Sequence, residues 1–265
     1  SMGGSQIWLE VGEGMSVSDL MKAVAIESAN DAAVALAEHV AGSEMAFVAL
    51  MNERAAELGC TNTKFINATG LPGVDGSDCL SSARDVAIMS RQLLHYPDVH
   101  KWLTIWMGDV RDGKNVLTNT NRLIRFYAGS DGLKTGYTQR ARYCLSATAR
   151  RNNVRVIAVV LGVATSAQRF ADASTLLDAG FSLFEARSVA PAGKAIGQVD
   201  VLRGTHTPVN AVAAGDLAVV NLRGQASKVE VRVELPRYVQ SPVTKGQVLG
   251  KMQALMEGRV YSEVD

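Results

Sequence analysis

The sequence is poor in the residues that build metal sites and disulfide frameworks. Its 265 residues include three cysteines and four histidines. Cys60, Cys79 and Cys144 are odd in number, far apart and without CxxC spacing, so free thiols are expected, not a zinc site or a set of bridges. His39, His95, His100 and His206 form no HExxH or similar grouping, and no metal or other cofactor is expected. Charge of one sign is missing too. The 27 basic and 26 acidic residues leave a net +1, and no basic tract follows a phosphate backbone, so no nucleic-acid partner is expected. No apolar run approaches the roughly 20 residues that cross a bilayer. What is abundant is hydrophobic side chain, 47% of the total, enough for a packed core in one large domain or two smaller ones.

The first hundred residues read as mainly helical. After a Gly-rich opening, Gln6–Glu10 reads as a short strand. Ser16 to Asp19 has the character of a helix start, and Leu20, Met21, Val24 and Ala25 then recur at helical spacing. Ala32–Val40 is strongly helix-prone, Gly42 a stop and Ser43 an N-cap for an amphipathic helix over Glu44–Leu58. A turn-rich loop covers Asn67–Asp78, and Ser81–Asp85 opens another helix running to about His95. Beyond Pro97 the pattern turns to strands: Trp102–Val110 and Val116–Thr118 around Asp112-Gly113, then Ala141–Arg150 and Val154–Val163 around Asn152-Asn153, a hairpin signal. The run Val156–Leu161 is apolar enough for a strand covered on both faces. Gln168–Ala186 reads as a long amphipathic helix. From about Ser188 short β-rich pieces follow: Ala195–Val201, Val209–Val212, Leu217–Leu222, Lys228–Leu235 and Gln247–Ala254. The expected organisation is an α+β domain over residues 1–187 and a small all-β sandwich over 188–265.

Two short motifs carry chemistry. Lys134-Thr135-Gly136 precedes a hairpin pattern; on an edge strand it offers an ammonium, a hydroxyl for a substrate carboxylate, and a glycine that lets a substrate backbone come close. Ser28-Ala29-Asn30 offers an amide for a carbonyl and a hydroxyl that relays a proton. Each has a plainer reading alone: a surface lysine beside a glycine turn, and a helix N-cap. Together they match two of three signatures of serine acyl-enzymes that act on D-alanyl peptides and penicillins.

The surrounding sequence sharpens this. Leu20–Glu44, Phe47–Asn52, Leu58–Phe65, Ser82-Ala83-Arg84-Asp85, Asn121-Arg122-Leu123, Asp131–Gly136, Val159–Gly162 and Arg169-Phe170 occur in order. Jointly they resemble the low-molecular-mass penicillin-binding proteins, the serine D-alanyl-D-alanine carboxypeptidases. The resemblance covers essentially the whole chain. It implies a penicillin-binding/serine β-lactamase-like domain, an antiparallel sheet plus a helical subdomain, followed by the family's second domain. It also implies that Ser28, Asn30 and Lys134 are catalytic, that Thr135 and Gly136 bind substrate, and that Arg122 and Arg169 help hold a terminal carboxylate with their planar forks of donors. The implied partners are a peptidoglycan stem peptide ending in D-Ala-D-Ala and β-lactam antibiotics. The implied location is extracytoplasmic, tethered to the cell membrane by a helix expected outside these residues.

The family's third signature, Ser-x-x-Lys, does not occur in these 265 residues. In the family its serine attacks the penultimate D-alanine carbonyl, its lysine takes the proton, and backbone N–H groups hold the oxyanion. Ser18 and Lys22 are one residue too far apart, and Thr61 to Lys64 begins with the wrong residue. The expectation is a fragment of a longer enzyme, inactive alone, lacking an upstream nucleophile segment and also a last strand after Asp265. Loss of sheet strands would expose an apolar face and an unpaired edge, so the fragment is expected to be poorly stable, or to pair with its own missing N-terminal segment or a second copy. Two rival functions remain: a non-catalytic peptidoglycan-binding or scaffold protein that keeps the cleft, and a class A β-lactamase-like hydrolase.

Overall fold

A computed structural model describes residues 3–225 and 228–265. The chain separates into two compact units, Ser1–Arg151 with Arg155–Ala179, and Asn152–Val154 with Gly180–Asp265.

The first unit begins with helices whose ends follow capping chemistry. Helix α1 (Val17–Ile26) starts at Ser16, whose hydroxyl accepts from Asp19 N at 3.0 Å. Ser43 does the same for α3 (Glu44–Glu57) at Ala46 N, and Ser82 for α4 (Ala83–Leu93) at Asp85 N. These hydroxyls satisfy donors that the first helical turn leaves unpaired. Between α1 and α3, α2 (Asn30–Ala41) stops at Gly42, whose φ of 79° is the left-handed geometry that favours glycine. Its N-cap is Ala29, not Ser28. Ser28 instead takes a φ of 64°, which frees its hydroxyl from capping.

Two expected strands differ. Gln6–Glu10 joins no ladder among the described residues. The Asp31 carboxylate takes the place of a partner strand, accepting from Ile7 N at 3.2 Å and Leu9 N at 3.0 Å. Ile7 is then buried with Leu20, Ala23 and Ile26 of α1. In Trp102–Val110 only the second half is extended. His100–Leu103 forms a one-turn helix, α5, because Thr104 Oγ1 bonds back to His100 O at 2.6 Å and Leu103 is buried against Ala25 and Leu133. The strand β1 is Met107–Val110, paired antiparallel with β2 (Asn115–Thr118).

A short helix α6 (Leu123–Phe126) leads into the sheet β3–β4–β5: Ser130–Thr138, Arg142–Arg151 and Val154–Val163. β3 runs antiparallel to β4, with Lys134 opposite Ser146 and Gly136 opposite Cys144. Asn152 and Asn153 both have positive φ between β4 and β5, the two-residue turn their side chains tolerate. β5 is an edge of this sheet among the described residues, and its burial is intermittent: Val154, Ala158 and Val160 are buried while Leu161 is 40% exposed. The two-sided cover expected of that run is absent from these residues. Helix α7 (Ser166–Leu183) closes the unit and stops short of Ala186, where the chain is already extended.

The second unit is all-β. It comprises β6 (Phe184–Ala190), β7 (Ala195–Leu202), β8 (Val209–Val212), β9 (Leu217–Leu222), β10 (Glu230–Glu234), β11 (Tyr238–Gln240), β12 (Lys251–Met256) and β13 (Arg259–Val264). Leu217 and Val219 of β9 are buried with Met252 and Ala254 of β12 in its core. β12 starts later than expected, and β13 lies within the chain where the sequence showed no strand. All of its residues are exposed or half-buried, so no apolar alternation marks it.

Candidate active site

The helical layer and the sheet of the first unit flank a cavity of about 610 Å³. Ser28, Asn30, Lys134, Thr135, Gly136 and Arg169 all line it, so six of the seven singled-out residues share one cleft. Arg122 does not line it. It is the exposed N-cap of α6, although its charge is felt at Arg169.

The two walls are joined by a hydrogen bond. Lys134 Nζ, on β3, donates to Ser28 Oγ between α1 and α2, and also to Thr135 O at 2.9 Å. Burial and the nearby Arg169 guanidinium disfavour a second positive charge and push Lys134 down to about 8 from an ordinary 10.5. Because the ammonium donates to Ser28 Oγ, the Ser28 hydroxyl proton is free to serve another acceptor.

Asn30 is buried at the first turn of α2. Its backbone N–H donates to Ser5 O at 2.8 Å and its Nδ2 to Gly3 O at 2.9 Å. Gly4 therefore lies hard against the amide: a Cβ there would stand 2.6 Å from Asn30 Nδ2.

At the other end, Thr135 is 8% exposed, and its hydroxyl is 2.7 Å from Thr120 Oγ1. Arg169 of α7 is also buried. Its Nη1 reaches Gly136 O at 3.3 Å and Cys144 O at 3.5 Å, whereas its Nε is buried with no partner. The guanidinium carbon lies 5.3 Å from the Tyr143 ring centroid and 4.8 Å from that of Phe170. Burial lowers its pKa from the ordinary guanidinium value. Two cations in one cavity, one with a spare buried donor, suit an anionic ligand group. Among the described residues no group of three or more His, Cys, Asp or Glu side chains is arranged to hold a metal ion, and the cysteines are free thiols.

Sequence reasoning did not single out several other polar side chains of the cavity, among them Thr120, Tyr137 and Cys144. Thr120 stands between Asn119 and Asn121, and that Asn-Thr-Asn run was the available signal. Cys144 was reachable only through the β3–β4 register, which sets it opposite Gly136.

A Lys-Thr-Gly strand and a Ser-x-Asn helical layer facing across one cleft define a penicillin-binding/serine β-lactamase-like domain. Comparison with known proteins takes this further. Residues 1–165 match the profile of the D-alanyl-D-alanine carboxypeptidases, and residues 184–265 match that of the penicillin-binding protein 5 C-terminal domain. The chain belongs to the D-alanyl-D-alanine carboxypeptidase family. It is 41% identical over 267 residues to the D-alanyl-D-alanine carboxypeptidase DacF of Bacillus subtilis, covering 99% of this chain and 68% of that protein. Penicillin-binding protein 5 from Haemophilus influenzae superposes with a TM-score of 0.67 at 35% identity, over 98% of this chain and 75% of that one. Penicillin-binding protein D2 from Listeria monocytogenes, solved in its ampicillin-bound form, superposes with a TM-score of 0.63 at 35% identity, over 68% of this chain and 74% of that one. The chain spans about two thirds of the length of the curated relatives it matches.

Proposed function

We propose that this chain belongs to a serine-type D-alanyl-D-alanine carboxypeptidase that trims peptidoglycan stem peptides through an acyl-serine intermediate, outside the cytoplasmic membrane. Its nucleophile is a Ser-x-x-Lys serine lying outside these 265 residues. The observation that carries the reading is the Lys134–Ser28 hydrogen bond across the cleft. It couples the two motifs into one proton path. When the acyl bond forms and the terminal D-alanine leaves, its nitrogen needs a proton. Ser28 gives its own and takes one from the Lys134 ammonium. Asn30 holds the peptide on the helical side. Thr135 and Arg169 receive the terminal carboxylate, the group that separates a carboxypeptidase substrate from an internal peptide. β-Lactams carry a carboxylate beside a strained amide and would enter the same cleft.

The test is release of D-alanine from a diacyl-Lys-D-Ala-D-Ala peptide by the full-length protein. The reading predicts turnover that fails in Lys134→Ala and Ser28→Ala. Absence of turnover in the unaltered full-length protein would overturn it. A second reading, a peptidoglycan-binding protein without catalysis, draws on the absence of Ser-x-x-Lys from these residues. It predicts binding of the same peptide with no D-alanine released.

A further inference from the structure

We propose that Thr120 is a positioning residue that sets the direction of the Thr135 hydroxyl, so that Thr135 donates to an anionic group in the cleft. This rests on the carboxypeptidase reading above and adds to it how the carboxylate is recognised.

Thr120 is held from three sides. Its backbone N–H donates to Ile26 O at 3.1 Å, at the end of α1. Its neighbours are buried asparagines, Asn119 and Asn121. Asn119 Nδ2 donates to Ile105 O at 2.8 Å, and Asn119 Oδ1 accepts from Asn121 N at 2.8 Å. Asn121 Nδ2 donates to Gly132 O at 3.0 Å, on the strand that carries Lys134 and Thr135. The segment is thus a polar bracket between the α1 end and β3. It places Thr120 Oγ1 2.7 Å from Thr135 Oγ1.

A hydroxyl has one proton, so one threonine donates to the other. With the cleft empty either direction serves. An anion near Lys134 and Arg169 accepts and never donates. Thr135 must then turn its proton to the anion, and Thr120 must supply the bond Thr135 accepts. The chain Thr120 to Thr135 to anion runs in one sense, and each bond polarises the next. Without the Thr120 hydroxyl, Thr135 Oγ1 loses its buried donor and its fixed orientation.

The experiment compares kcat/KM of the full-length protein on a peptide ending in D-Ala-D-Ala with the same peptide ending in D-alaninamide. The unaltered protein should prefer the acid. Thr120→Val, similar in shape, should shrink that preference about tenfold, as losing one hydrogen bond to a charged group does, with the amide rate nearly unchanged. Thr120→Ser should restore the preference. An equal fall on both substrates would show a merely structural role and overturn the proposal, as would an unchanged ratio. If Thr120→Val does not fold, Thr120→Ala is read in the same way. An unaltered protein that cleaves neither peptide strikes the carboxypeptidase reading instead; an active one with an unchanged Thr120→Val ratio strikes only this inference.

Discussion

Lys134 and Ser28 are 106 positions apart in the chain, and the Lys134 ammonium donates to Ser28 Oγ across the cleft. Burial, helped by the Arg169 charge, brings that ammonium to about 8, so it titrates close to working pH. If Lys134 supplies the proton that Ser28 delivers, the charged form is the active one. Acylation of the full-length protein should then be flat below pH 8 and fall above it, roughly tenfold per pH unit. Lys134→Arg stays charged throughout and should lose this alkaline limb whatever its absolute rate. Stopped-flow acylation between pH 6 and 10 reads both. A rate that rises through pH 8 would assign Lys134 the opposite role, as a base.

The same shift carries a stability signature. The folded-state value of about 8 lies below the ordinary 10.5, so between the two the unfolded chain holds more protons than the folded one, and stability rises with pH. Below about 8 the full penalty of burying the charge is present, and above 10.5 it is gone. Lys134→Met removes the penalty. It should be about 2 kcal/mol more stable than the unaltered protein at pH 7, after allowance for partial solvation and the two lost hydrogen bonds, and the gap should shrink and then reverse as the pH rises past 10.5, where only the lost bonds remain. Urea unfolding of both proteins across that range measures it.

Gly4 is a sensitive point far from the motifs in sequence. Its φ of 65° and the 2.6 Å approach to Asn30 Nδ2 leave no room for a side chain. Gly4→Ala should cost about 1–2 kcal/mol from backbone strain. It should also displace the Asn30 amide from Gly3 O, lowering acylation as well as the urea midpoint. A variant with altered stability and unchanged acylation would mean that Asn30 needs no support from this segment.

Two of the three thiols, Cys60 and Cys144, should separate by environment. Cys60 is 3% exposed, and burial raises its pKa, so a thiol reagent should reach it only on unfolding. Cys144 lines the cleft and should react in the folded protein, more slowly when a β-lactam occupies the site. Mass spectrometry of the labelled peptides distinguishes them. Labelling of Cys60 at native rates would contradict its burial, with its thiol donating to Asp85 O of α4 at 3.7 Å.

Local chemistry made much of this fold readable. Ser16 and Ser43 cap where their hydroxyls can reach N–H groups three residues on, and Asn152-Asn153 makes the tight turn their positive φ allows. The Lys-Thr-Gly strand and the Ser-x-Asn helix start were legible as motifs, and the structure brings them to one cavity. What was not legible depended on partners distant in sequence. Gln6–Glu10 reads as a strand in sequence, but Trp8 takes a φ of 58° and the partner of the segment is a carboxylate. His100–Leu103 coils because Leu103 finds Leu133. Arg122 carries the right charge, yet the turn of α6 leaves it exposed and outside the cavity. Thr120, two residues before it, reaches Thr135; the flanking asparagines signal a polar position, but the partner is set by the strand beside it.

The central claim is that the two motifs act as one acylating cleft. The most direct measurement is the second-order rate of covalent labelling by a fluorescent penicillin, in the full-length protein and in Lys134→Ala. The account predicts a stable acyl-enzyme in the unaltered protein and labelling slower by about a hundredfold or more in the variant. An unaltered protein that takes no label, or a variant that labels at the same rate, would contradict it.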